Sequence, residues 1–95
     1  MPPPNKKKEV DYAALSSPFM RIPRLPVVVA RDLIDLGLRD VFELQGRAPE
    51  VLLEEMRRRK PTTPDSHLPF IRLAVYFAEN PDPDREKLYP DAWRD

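Results

Sequence analysis

The chain has no cysteine and a single histidine among its 95 residues. Disulfides and thiol chemistry are therefore excluded, and any metal site would rest mainly on carboxylates. An excess of charge of either sign is also missing, because sixteen Lys and Arg balance sixteen Asp and Glu. The neutral balance argues against a strongly basic nucleic-acid protein but leaves room for a local basic face, since local potential governs a contact. No apolar run is long enough to cross a bilayer. The lysines near the amino terminus are followed by no apolar segment, so they do not read as a secretory signal, and a cytoplasmic location is expected. What is present is 41% apolar and 34% charged residues, the balance of one soluble globular domain.

Thirteen prolines and two glycines punctuate the chain. Residues 1–9, which include Lys6-Lys7-Lys8, read as a disordered Pro/Lys-rich tail, residues 10–80 as a helical domain, and residues 81–95 as a Pro-rich acidic tail partly packed on it. Asp11 can cap a short helix that ends near Leu15, with Ser17-Pro18 as its stop. Pro18, Pro23 and Pro26 make the next segment a rigid connection carrying Phe19, Ile22 and Leu25. From Pro26 onward Val27, Ala30, Leu33 and Ile34 recur at helical spacing, and Gly37 supplies a carboxy-terminal stop with Leu38 packing back. A turn at Val41–Leu44, ended by Gly46, adds apolar groups to the same core.

Pro49 opens a further predicted helix, with an apolar stripe of Val51, Leu52 and Met56 flanked by Leu53. Glu54 to Arg58 and Glu55 to Arg59 are spaced for exposed ion pairs, and Pro61 ends the helix. Asp65 or Ser66 can cap the next one, in which Pro69 falls within the tolerant first turn. Phe70, Leu73, Ala74 and Phe77, widened by Ile71, Val75 and Ala78, mark it as the central packing element. Asn80-Pro81 stops it. In the final stretch Leu88, Tyr89 and Trp93 offer anchors to the domain. The fold class expected is all-α, a compact helical domain with a helix-hairpin-helix-like unit.

Ile22 to Met56, with Ala30-Arg31-Asp32-Leu33, Leu36-Gly37-Leu38 and Pro49-Glu50 as its strongest pieces, resembles the helix-hairpin-helix region of the small bacterial pathogenicity-locus proteins. Some relatives of that family are labelled as mitomycin-resistance proteins. Arg72, Ala74, Val75, Tyr76 and Phe77 resemble its last helix, so the likeness runs from about Phe19 to Trp93. The resemblance implies a compact helical fold that holds duplex DNA by its backbone without reading sequence. In such hairpins two glycines precede the helix, whose amides receive a phosphate. Arg24 and Pro26 stand at those positions here, and Pro26 has no amide hydrogen to donate.

Arg21, Arg24 and Arg31 bracket that hairpin, and the amides of Val27 and Val28 stay available if Pro26 begins the helix. Arginine suits phosphate because its planar donors engage two oxygens together. Arg57, Arg58, Arg59 and Lys60 form a second basic run that can extend a phosphate track. Against this stands the reading that all these cations are surface groups, paired with Asp32, Asp35, Glu54 and Glu55 or complementing a helix end. His67 has no nucleophile or base partner and reads as a surface residue. Asp82, Asp84 and Glu86 lack a calcium-loop pattern. Tyr76, Tyr89 and Trp93 read as packing and anchoring groups rather than base-stacking ones.

No constellation points to catalysis, a cofactor or a metal. Two functions stay open. One is a non-sequence-specific nucleic-acid-binding accessory protein, with duplex DNA as partner and a continuous positive face from Arg21–Arg31 to Arg57–Lys60. The other is a protein-interaction or regulatory module with a protein partner, scattered charge and an exposed apolar patch near Val28 or Leu53.

Overall fold

The computed structural model describes residues 10–95. The segment 1–9, read above as a disordered tail, lies outside the described residues. Among the described residues there are four α-helices and no strand: α1 (Tyr12–Leu15), α2 (Val27–Asp35), α3 (Pro49–Arg59) and α4 (His67–Glu79). The class is all-α, as the patterning predicts. No helix is long and apolar enough to cross a membrane among these residues.

Local chemistry explains most of the boundaries. The Asp11 carboxylate accepts from the Ala14 amide at 3.1 Å and starts α1. Helix α2 ends in a Schellman arrangement. Gly37 takes φ +91°, its amide donates to the Ile34 carbonyl at 2.8 Å, and the Leu38 amide donates to the Leu33 carbonyl at 3.3 Å. That geometry turns Leu38 back onto the core, where it is buried. Pro49 occupies the first turn of α3, where its missing donor costs little.

One local feature differs from the sequence reading and another adds to it. The Pro18–Arg21 connection is a regular 3-10 turn, which drives Phe19 into full burial. The turn Val41–Leu44 forms where the pattern places it, as a 3-10 turn held by a capping box. Asp40 accepts from the Val41 amide at 2.7 Å, and Glu43 accepts from the Asp40 amide at 2.9 Å.

The core is continuous from Phe19 and Leu33 through Leu44 and Leu52 to Ile71 and Leu73, all fully buried. Helix α4 is its centre, touching α2, α3, the Val41–Leu44 turn and the two carboxy-terminal turns. Its most buried residues are Ile71, Leu73, Ala74 and Val75, whereas Phe70 and Phe77 are only half-buried. In α3 the buried stripe is Leu52, Leu53 and Met56, and Val51 is half-exposed. Helical spacing says which residues share a stripe, but neighbouring elements decide which of two adjacent stripes is covered.

The carboxy-terminal segment carries 3-10 turns at Arg85–Leu88 and Pro90–Trp93. The Trp93 ring lies 5.3 Å from the Tyr76 ring, and its Nε1 donates to the Lys87 carbonyl at 2.8 Å. Arg72 donates to the Trp93 carbonyl at 2.6 Å, and the Tyr76 hydroxyl accepts from the Asp84 amide at 2.8 Å. Three contacts therefore fasten to α4 a Pro-rich segment that has few apolar groups of its own, and the Trp93–Lys87 bond closes that segment on itself.

Candidate functional site

The chain reaches α2 through a tight turn, Ile22–Leu25, closed by the Leu25 amide on the Ile22 carbonyl at 3.3 Å. Pro23 takes the second position and Arg24 the third, with φ +63°. This is the type II pattern, whose third residue must adopt a left-handed conformation that glycine usually supplies. Arg24 is the one non-glycine residue with positive φ among those described. A guanidinium therefore stands on backbone shaped like that of a glycine. It donates from Nη1 to the Leu88 carbonyl at 3.0 Å and lies 3.7 Å above the centre of the Tyr89 ring.

Pro26 follows in extended conformation as the cap of α2, and its carbonyl accepts from the amides of Val29 and Ala30 at 3.0 and 3.1 Å. The amides of Val27 and Val28 have no acceptor among the described residues. Those two donors sit at the positive end of the helix dipole. Arg21 is exposed and makes no ion pair among the described residues. Arg21, Arg24, Val27 and Val28 thus share one corner of the molecule.

The other predicted cations, Arg59 excepted, are committed elsewhere. Arg31 forks onto Asp11 through two bonds of 2.7 Å and reaches Asp35 at 3.2 Å. The hydrogen bond from Arg31 is the main cause that lowers the Asp11 carboxyl from 3.8 to about 2, and the same contact raises the Arg31 guanidinium further. Arg57 donates to the Thr63 carbonyl at 3.0 Å and to the Asp65 carboxylate. Asp65 is thus engaged by Arg57, and Ser66, which stands at the cap of α4 with helical backbone, makes no side-chain capping bond. Arg58 pairs with Glu54 at 3.3 Å as the spacing predicts, but Glu55 takes Arg47 at 3.3 Å in place of Arg59. Lys60 lies 3.0 Å from Asp32. Arg59 is exposed and unpaired among the described residues, on the rim of a cleft of about 370 Å³ with Asp32, Asp35, Met56 and Lys60.

His67 is the clearest correction. It reads as a surface residue in sequence, yet it is buried, with Nε2 at 2.9 Å from the equally buried Asp32. Asp32 therefore receives Lys60 on one oxygen and His67 on the other, joining α2, the end of α3 and the start of α4. Asp32 lies three residues after buried Val29 and beside buried Leu33. That placement on the apolar arc is the signal that marks it as an inward carboxylate. The arrangement satisfies its members, and no buried side-chain polar atom among the described residues lacks a partner. It acts as a polar clamp between three elements. No group of three His, Asp or Glu side chains among the described residues converges to hold a metal ion.

A family model described as pathogenicity locus, Cdd1, matches residues 13–93. The match takes in α2, α3, α4, both carboxy-terminal turns and all of α1 but Tyr12. The chain belongs to the pathogenicity-locus family. No curated protein and no solved structure matches it.

Proposed function

We propose that this pathogenicity-locus protein is a cytoplasmic, non-enzymatic accessory factor that grips nucleic acid by its phosphates, without reading sequence, at the corner preceding α2. In this reading the turn and α2 form a helix-hairpin-helix-like unit, the subtype to which the relatives labelled for mitomycin resistance belong. The observation that carries it is the pair of amides, of Val27 and Val28, that have no acceptor among the described residues. They lie at a helix start that follows a left-handed turn residue and, a few residues earlier, the exposed Arg21, which makes no ion pair among the described residues. Backbone amides and a helix dipole favour a phosphate oxygen without contacting a base, which makes the grip sequence-independent. Arg24 adds the donors its contacts with Leu88 and Tyr89 leave free. Arg31, Arg57, Arg58 and Lys60 serve the fold in this proposal, so the grip is smaller than the basic runs imply.

A second reading, a protein-interaction module, draws on a different observation. Phe42 is 65% exposed and Val28 49% exposed, while most cations are neutralised by acidic partners. Titration of a labelled duplex and a labelled single strand at low and moderate salt separates the two. The wild type should bind with a steep salt dependence. Arg21→Ala should flatten that slope by about one counterion, and Val27→Pro should weaken binding by removing one amide at a helix position that tolerates proline. A wild type that ignores nucleic acid, duplex and single strand alike, even at low salt overturns the phosphate reading and leaves the protein-interaction one.

A further inference from the structure

The carboxy-terminal segment reaches the same corner, and its two exposed-end aromatic residues are used differently. Trp93 is fastened into the domain against Tyr76, with its ring nitrogen satisfied. Tyr89 is not. Its ring is covered by the Arg24 guanidinium at 3.7 Å, yet the residue remains 48% exposed. An anchoring role, the reading its sequence context favours, leaves that exposure unexplained.

We propose that the Arg24–Tyr89 stack is a platform for an unpaired nucleobase, so that this corner takes single-stranded nucleic acid in preference to uninterrupted duplex. The proposal rests on the phosphate-binding reading above and specifies which form of nucleic acid that site prefers. Three features support it. A guanidinium lying on a tyrosine makes a flat, polarised plate, and every base has a face that stacks on such a plate whatever its identity. The plate is held in place rather than mobile, because Arg24 Nη1 is tied to the Leu88 carbonyl at 3.0 Å. It adjoins the free amides, since Arg24 precedes Val27 by three residues across a rigid Pro26. In a closed duplex the bases are stacked on each other and cannot reach the plate. A single strand can place a phosphate on the amides and an adjacent base on the ring.

Tyr89→Ala and Tyr89→Phe are the informative variants, each checked for folding by thermal melting and by the fluorescence of the lone tryptophan, Trp93. Anisotropy titrations use two probes at one salt concentration: a short labelled single strand, and a labelled blunt-ended duplex of the same length whose G·C-rich ends keep it closed. Tyr89→Ala should weaken single-strand binding about tenfold. It should change closed-duplex binding by no more than about twofold, the allowance for a loosened Arg24. Tyr89→Phe, which keeps the ring, should match the wild type on both probes. Equal losses on the two probes, or tighter binding by Tyr89→Ala, overturn the platform while leaving the phosphate grip intact. A wild type that binds the closed duplex and not the single strand does the same. A wild type that binds neither probe removes the phosphate reading itself.

Discussion

The two ends of α2 carry similar residues in sequence and opposite chemistry in space. At its start, Arg21 and Arg24 flank amides that have no acceptor, and no carboxylate pairs with either arginine among the described residues. At its far side, Arg31 is clasped by Asp11 and Asp35, and Lys60 by Asp32. The comparison teaches that a basic residue gains a binding role only where the fold leaves its donors unspent. An arginine closed onto a carboxylate offers a phosphate little net attraction, because the acid cancels the field and must be displaced first. Counting cations in a run such as Arg57–Lys60 therefore overstates what a surface can bind.

Breaking the clamped end should have the largest effect. Asp32→Ala strips the shared acceptor from His67 and Lys60 and is expected to cost about 2–3 kcal/mol of stability, less than a fully enclosed pair would, because Lys60 can turn to solvent. Urea denaturation measures this, and a loss below about 1 kcal/mol would show that the clamp is incidental to the fold.

Next in size is the contrast between two left-handed residues, one at either end of α2. Gly37→Ala meets no atom within 4 Å at the new Cβ, so its cost is purely conformational, about 1–2 kcal/mol. Arg24→Gly goes the other way. It relieves the strained backbone while losing the Tyr89 and Leu88 contacts, so its stability should stay within about 1 kcal/mol of wild type while nucleic-acid affinity falls. Stability and binding measured on the same pair of variants sharpen the difference between a structural end and an open one.

The smallest effect concerns Asp11 and Arg31. The folded carboxyl is lowered to about 2 from its usual 3.8, so it binds a proton less readily folded than unfolded. Its contribution is present above pH about 4 and is lost as pH falls toward about 2. Denaturation midpoints followed through that range should show the loss in wild type. Arg31→Met, which removes the main cause of the shift, should lack that part of the pH dependence. An identical acid profile in both would mean that the fork does not stabilise α1.

Legibility followed the range of the interaction. The cap at Asp11, the stop at Gly37 with Leu38 folding back, and the helix starts near Pro26 and Pro49 were readable because each involves groups a few residues apart. The Glu54–Arg58 pair was readable for the same reason. His67 was not, since its partner lies 35 positions away and nothing local distinguishes a buried imidazole from an exposed one. Nor was the exchange by which Arg47 takes Glu55. The open corner was half legible. Arg21, Arg24, Val27 and Val28 were named by their place around the turn, but the left-handed backbone at Arg24 and the approach of Tyr89 were not visible.

By itself, then, the sequence determined an all-α protein, its helix boundaries and the group of apolar residues from which the core is drawn, because periodicity, capping and proline placement act within a few residues of backbone. Tertiary structure alone decided which stripe of α3 and α4 is covered, which cations are neutralised and which aromatic stays in solvent. Those outcomes depend on the positions of groups remote in the chain. A charge or a ring has no fixed role until its neighbours in space are in place.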